Sequence, residues 1–331
     1  MKKRIIVSAV LLPIFFAVLF IFPPYVLAIV ISLISAIAAY ELLYAVKIRN
    51  KRVIVYTIVA AVLTPMAVYS SNTLHISTSG DFSLMTLITL LFSIFFIFIC
   101  LLIIDAALTF KIGKQDKNSG NDNKPAAGRS NPGKNPDVDR SGSSETQDDS
   151  ESQKKLKFRQ IPIAVAAGII IPCMLSTLIG LKIMDYGYLF VLLPIVAAFL
   201  TDSGAYFTGV AIGKRKAFPN ISPNKTVEGC IGGILTGTAG IMIYGIILAN
   251  TTPLTIIYQY FIIYGITGAI VTELGDLFFS LIKRKCRVKD YGRIIPGHGG
   301  MLDRFDSMIF TAPAMYLLVI LIPAMVLPAI A

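Results

Sequence analysis

Between Glu273 and Ser307 the chain sets a row of ionisable side chains into a largely apolar surround. Glu273, Asp276, Ser280 and Lys283 recur at three- and four-residue spacing, so a helix would place them on one face, with Leu277, Phe278, Leu281 and Ile282 covering the rest. A basic loop follows with Lys283, Arg284, Lys285, Arg287, Lys289 and Arg293, then Pro296-Gly297-His298-Gly299-Gly300, then Asp303-Arg304-Phe305-Asp306. Glycines allow successive N–H groups to turn towards an anion, and two carboxylates three positions apart can sit together at the start of a helix. Carboxylates beside cations suited to phosphate match Mg²⁺, a hard octahedral ion commonly held by one or two carboxylates plus substrate phosphates. Zinc is disfavoured: Cys100, Cys173, Cys230 and Cys286 are scattered singly, and His75 and His298 lie far apart.

These residues must be positioned by membrane helices. The chain is 55% hydrophobic with a mean hydropathy of +0.73, too apolar for a soluble domain of its size. Nine stretches approach the roughly 20 apolar residues needed to cross a bilayer: 5–22, 24–46, 53–70, 84–110, 161–181, 187–212, 229–249, 258–282 and 308–329. The first is read as a retained span, because it reaches Phe22 with no small-residue cleavage pattern. With the N-terminus in the cytoplasm, 29 of the 30 Lys and Arg residues fall on the cytoplasmic side, leaving only Lys182 outside. The formal charge of +11 is therefore mostly topology, and a nucleic-acid partner loses its motive. The expected fold is all-α and polytopic, with helices one to four in 1–110, a linker at 111–158 and helices five to nine in 159–331. That linker is rich in Asn, Gly, Ser, Asp, Lys and Pro, has no aromatic before Phe158, and is expected to be disordered.

Gly229, Gly233 and Gly237 recur every fourth residue, a pattern that favours close helix packing. Neither a P-loop nor a G-x-G-x-x-G dinucleotide motif occurs. Outside the linker the chain has eleven acidic residues. Seven of them, Asp202, Glu228, Glu273, Asp276, Asp290, Asp303 and Asp306, cluster in two blocks; Glu41, Asp81, Asp105 and Asp185 are the rest. Ionisable groups within spans are costly and tend to mark function. Asp202, Glu273 and Asp276 lie at depth, while Glu41 and Asp105 sit nearer cytoplasmic helix ends, where pairing with basic residues or reaching the interface would explain them.

The run Ser280-Leu281-Ile282-Lys283-Arg284, Lys289-Asp290-x-Gly292, Ile295-Pro296-x-His298-Gly299-Gly300-Met301 and Asp303-Arg304-Phe305-Asp306 resembles the signature of the phosphatidate cytidylyltransferase (CDP-diacylglycerol synthase) family. A second block, Asp202-Ser203-Gly204-Ala205-Tyr206 followed by Ser222-Pro223-x-Lys225-Thr226-x-Glu228-Gly229, resembles the same family. The likeness is specific over about 200–307, only hydropathic over 1–110 and absent over 111–158. It implies transfer of CMP from CTP to phosphatidic acid, giving CDP-diacylglycerol and pyrophosphate at the cytoplasmic face of the cell membrane. It implies Mg²⁺ on Asp276 and Asp303, with Asp306 or Glu273 beside them and a second cation left open.

Catalysis would then fall to Asp276, Asp303, Lys225 and Arg304. Substrate would be held by Asp202, Ser222, Lys225, Lys283, Arg284, Lys289, Arg293, His298, Gly299, Gly300 and Arg304, with His298 and its neighbouring glycines shaping a phosphate nest or His298 acting as a structural hydrogen-bonder. The implied partners are CTP, phosphatidic acid and the lipid bilayer, with a homodimer left open. A CDP-archaeol synthase or polyprenol kinase is the alternative within the chemistry, and an ion-coupled transporter using Asp202, Glu273 and Asp276 is the alternative outside it.

Overall fold

A computed structural model describes residues 13–77, 95, 97–99, 101–102, 160–292, 294 and 299–326. Among them, seven helices are long and apolar enough to cross a membrane: α1 (Pro24–Ala45), α2 (Lys51–Ser77), α3 (Ile161–Ile183), α4 (Gly187–Ile212), α5 (Val227–Thr251), α6 (Tyr258–Lys285) and α7 (Leu302–Leu321). The protein is an all-α, multi-pass membrane protein. Of the two further spans expected, 5–22 is described from residue 13, with 13–20 helical, and 84–110 only at a few helical residues. The rest of both, and the expected linker at 111–158, lie outside the described residues.

The helices are held at distances that the small residues allow. Gly229 and Gly233 of α5 face α4 so closely that a Cβ on either would stand 2.9 Å from a carbonyl oxygen, that of Ala205 and of Thr201 respectively. The glycine repeat is thus a packing face, and it fixes the α4 segment that carries Asp202. Helices α6 and α7 are joined at mid-length by the buried Thr272 and Thr311 hydroxyls, 2.8 Å apart. At the end remote from the acidic residues, Tyr264 donates to the Ile322 carbonyl at 2.6 Å. There β3 (Thr255–Ile256) and β4 (Met325–Val326) pair antiparallel. Lys182, the one basic residue expected on the outer side, is buried and donates to the Leu19 carbonyl.

Two features depart from the hydropathy pattern. The last span is not 308–329 but Leu302–Leu321, so Asp303, Arg304 and Asp306 belong to the helix itself. Its charged first turn lowers the local hydropathy that would have marked the start, and Pro323 lacks the N–H to extend the end. The loop after α4 is a small antiparallel hairpin, β1 (Lys216–Phe218) with β2 (Ser222–Thr226). It is tied down at both ends. Glu228 accepts from the Lys214 and Arg215 amides at 3.1 and 3.2 Å, and the Arg284 Nε donates to the Ile221 carbonyl at 3.0 Å.

Candidate active site

Where α4, α6 and α7 meet the hairpin, a cavity of about 690 Å³ opens. Asp202 comes from α4, Asp276 and Lys283 from α6, and Asp303, Arg304, Asp306 and Ser307 from α7. The hairpin supplies Lys216, Ser222, Asn224 and Lys225. Thr226 ends β2 and caps α5, its hydroxyl accepting from the Gly229 amide at 3.1 Å, so the lysine before it is held at a fixed point over α6.

Lys225 bridges two α6 carboxylates one helical turn apart. Its Nζ pairs with Glu273 Oε2 and lies 2.8 Å from Asp276 Oδ2. Burial alone would lower the ammonium's pKa, but the Asp276 and Glu273 charges outweigh it and hold the value above that of an ordinary lysine. Glu273 is buried, and its other oxygen, Oε1, has no hydrogen-bond partner among the described residues.

Lys283 makes a second bridge, 3.1 Å from Asp303 Oδ1 and 3.8 Å from Asp306 Oδ2. Asp303 Oδ2 accepts from the Tyr291 amide at 2.8 Å and the Gly300 amide at 3.2 Å, so this carboxylate also braces the two ends of the signature loop. Tyr291 is itself anchored, its hydroxyl donating to the Phe279 carbonyl at 2.9 Å, and burial pushes its phenol above the usual range so that it remains a donor. Asp202 accepts from the Ser307 hydroxyl at 3.1 Å. Asp202, Asp276 and Asp306 lie close enough to repel one another. Lys225 and Lys283 thus bridge four carboxylates between them, and with Asp202 and Asp290 the six carboxylates at the site stand against Lys216, Lys225, Lys283 and Arg304, a small excess of negative charge that a cation would relieve. Among the described residues, no group of three or more His, Cys, Asp or Glu side chains is placed to hold a metal ion.

Of the residues expected from the sequence, Asp202, Ser222, Lys225, Asp276, Lys283, Asp303, Arg304 and Asp306 line one cavity. Glu273 stands behind Lys225. Three other expected features stand apart from that cavity. Arg284 is engaged with the hairpin carbonyl of Ile221. Lys289 lines a different cavity, of about 770 Å³, with Tyr40, Glu41, Tyr44, Lys47 and Arg49. The glycine loop does turn successive amides towards anions, but the anions are the protein's own: Gly300 donates to Asp303, and Met301 and Leu302 donate to Glu41. Gly299, at φ 85°, makes the turn that permits this. Arg293 and His298 lie outside the described residues, as does Asp105.

Residue type alone does not mark Lys216, Asn224, Tyr291 and Ser307 in the sequence. Ser307 ends the signature stretch, and Asn224 lies inside the Ser222–Thr226 block, so the motif itself was the available signal. The three described cysteines are unpaired and half-buried, with Cys230 Sγ 3.7 Å from Glu273 Oε2.

Comparison with known proteins agrees with this architecture. The pattern of the cytidylyltransferase family matches residues 2–322. A phosphatidate cytidylyltransferase of Bacillus subtilis is 41% identical over 165 residues, covering 50% of this chain and 60% of that protein. Proteins of the same name from Thermotoga maritima and Staphylococcus saprophyticus are 39% and 42% identical over 134 residues, covering 40% of this chain and 50% of each relative. The matched stretch thus spans half to three-fifths of the length of these relatives.

Proposed function

We propose that this chain, which belongs to the cytidylyltransferase family, transfers the cytidylyl group of CTP to phosphatidate, forming CDP-diacylglycerol and releasing pyrophosphate. The observation that carries this reading is the single cavity in which membrane-helix carboxylates, two bridging lysines and the hairpin meet. Its edge includes Tyr206 and Val210, 66% and 72% exposed on the outer face of α4, where a lipid could approach. Its other edge is the polar hairpin, suited to a nucleotide. We place the cavity on the cytoplasmic face of the cell membrane because nearly all Lys and Arg residues segregate to that side.

A phosphatidate oxygen attacks the α-phosphorus of CTP, and the bond from that phosphorus to the bridging oxygen of pyrophosphate breaks. Phosphate monoesters have a second pKa of about 6, so the nucleophile is already ionised near neutral pH and needs little help from a general base. The harder task is to bring two polyanions together. Lys225, Lys283 and Arg304 would hold phosphate oxygens, and Lys216, Ser222 and Asn224 would close over the nucleotide from the hairpin.

The donor set fits Mg²⁺. It offers carboxylate oxygens, hard ligands of the kind this ion takes one or two at a time together with substrate phosphates. Asp276 and Asp303 would hold the ion, with Asp306 beside them. When bound, Mg²⁺ neutralises triphosphate charge and stabilises the departing pyrophosphate. Lys225 and Lys283, bridged to those same carboxylates, would then turn towards phosphate oxygens.

The test is to incubate purified protein in detergent with CTP, Mg²⁺ and phosphatidate and to follow pyrophosphate and lipid product. Sustained pyrophosphate release that requires phosphatidate supports the proposal. Release without the lipid, or no release under conditions where a related enzyme turns over, overturns it.

A further inference from the structure

Glu41 sits on α1, far in sequence from both blocks, and is 1% exposed. Oε1 accepts from the Met301 amide at 3.0 Å, and Oε2 accepts from the Leu302 amide at 2.8 Å. These are the amides of the N-cap residue and of the first residue of α7, the helix that carries Asp303 and Asp306. That helix starts without a local cap, for Met301 provides no side-chain acceptor. An anion at a helix N-terminus satisfies free N–H groups and is stabilised by the helix dipole. The same carboxylate fills the space over two signature glycines. A Cβ on Gly300 would lie 2.6 Å from Glu41 Oε2, and one on Gly292 would lie 2.6 Å from its Cδ.

We propose that Glu41 is a positioning residue for the cytidylyl-transfer site, an inference that rests on the function proposed above. The consecutive amides of 300, 301 and 302 are divided between two carboxylates, the first to Asp303 and the next two to Glu41. Glu41 thereby keeps the two inner amides from competing for Asp303, and Asp303 Oδ1 stays directed towards Lys283 and the cavity. The N-terminal helices, which the family pattern also covers, thus contribute one fixed charge to the site's geometry.

The test uses full-length protein carrying Glu41→Gln or Glu41→Asp. Glutamine keeps the size but sets an amide donor against a backbone N–H. Without nucleotide, hydrogen exchange in a peptide spanning 299–306 should quicken by about tenfold or more in Glu41→Gln, because uncapped first-turn amides open readily. With substrates, kcat should fall on the order of tenfold and the Mg²⁺ concentration for half-maximal rate should rise, while the KM for phosphatidate holds. Glu41→Asp should recover part of the loss. Glu41→Gln and Asp303→Asn should combine less than additively, because both act on one carboxylate.

Unchanged exchange in 299–306 overturns the clasp. A loss of rate that only tracks the folded fraction, with a normal Mg²⁺ requirement, overturns the positioning role. Should Glu41→Gln fail to assemble, Gly300→Ala presses on the same carboxylate and must raise the Mg²⁺ requirement; a normal requirement there also overturns the proposal. The exchange measurement needs no turnover, so it reads the clasp even if the chain proves not to use CTP.

Discussion

Replacing Lys225 by methionine keeps the length and apolar stem of the side chain but removes the ammonium that bridges Glu273 and Asp276. The side chains are 17%, 8% and 25% exposed for Lys225, Glu273 and Asp276, so the Glu273 pair is buried and the Asp276 pair is partly screened. Removing one partner of a buried pair costs about 3–5 kcal/mol, chiefly because the remaining charge is stranded. Screening at Asp276 moves the expectation to the lower end, about 3 kcal/mol. Glu273 is the stranded group, since its Oε1 already has no hydrogen-bond partner among the described residues and its Oε2 would lose the ammonium. Adding Glu273→Gln to Lys225→Met should therefore restore about 1 kcal/mol or more.

The lysine's pKa is raised in the folded protein, so its stabilisation is complete below the unfolded lysine value and is lost only as pH rises through the higher folded value. The penalty of Lys225→Met should accordingly be flat between about pH 7 and 9. Unfolding in mixed micelles can be followed by tyrosine emission, because the chain has 14 Tyr and no Trp. A loss below about 1 kcal/mol for Lys225→Met, or no recovery on adding Glu273→Gln, would refute the stranded-charge reasoning.

Asp276→Asn and Asp303→Asn should each lower turnover on the order of a hundredfold, with a raised Mg²⁺ requirement, whereas Asp290→Asn and Asp306→Asn should give smaller, graded losses; Mg²⁺ titration of matched, folded preparations separates the two classes. Asp303→Asn should also quicken amide exchange near Tyr291, since Oδ2 braces that loop, while Asp276→Asn should leave it unchanged. Deleting about 115–155 and joining the ends with a short Gly/Ser segment should leave turnover largely intact, because that stretch has no apolar anchors; loss of rate in an inserted, folded deletion would give it a direct role. Gly233→Val should lower thermal stability and turnover together, since even a Cβ there would lie 2.9 Å from the Thr201 carbonyl and 3.1 Å from Glu273 Oε1; normal melting and rate would show that α4 and α5 can separate freely.

Much of this arrangement was legible from local signals. Runs of about 20 apolar residues mark membrane helices without reference to anything distant, so the cores of the seven described spans follow from hydropathy. The helical spacing of Glu273, Asp276, Ser280 and Lys283 likewise placed them along one helix. What escaped depends on contacts between remote segments. The hairpin at 216–226 is too short to signal itself and is held by Arg284 and Glu228 from neighbouring helices. The start of α7 was hidden because the residues that make the site, Asp303 to Asp306, are those that break its apolar run. Glu41 read as a carboxylate near a helix end seeking a basic partner or the interface. Its partners are backbone amides some 260 residues away, and a backbone N–H leaves no trace in residue type. The lysines at 225 and 283 read as phosphate ligands, and the fold adds that each is also the counter-ion of two carboxylates.

In the proposed reaction, the cavity between α4, α6, α7 and the hairpin breaks the bond between the α- and β-phosphates of CTP and passes the cytidylyl group to a lipid phosphate. The direct measurement is the fate of two labels in purified protein given Mg²⁺ and phosphatidate. CTP labelled at the α-phosphorus should carry its label into the lipid fraction, and CTP labelled at the γ-phosphorus should carry it into pyrophosphate, with both transfers reduced on the order of a hundredfold in Asp276→Asn. Label from the γ-position in the lipid would identify phosphoryl rather than cytidylyl transfer, and undiminished α-label transfer in Asp276→Asn would remove the chemistry from this cavity.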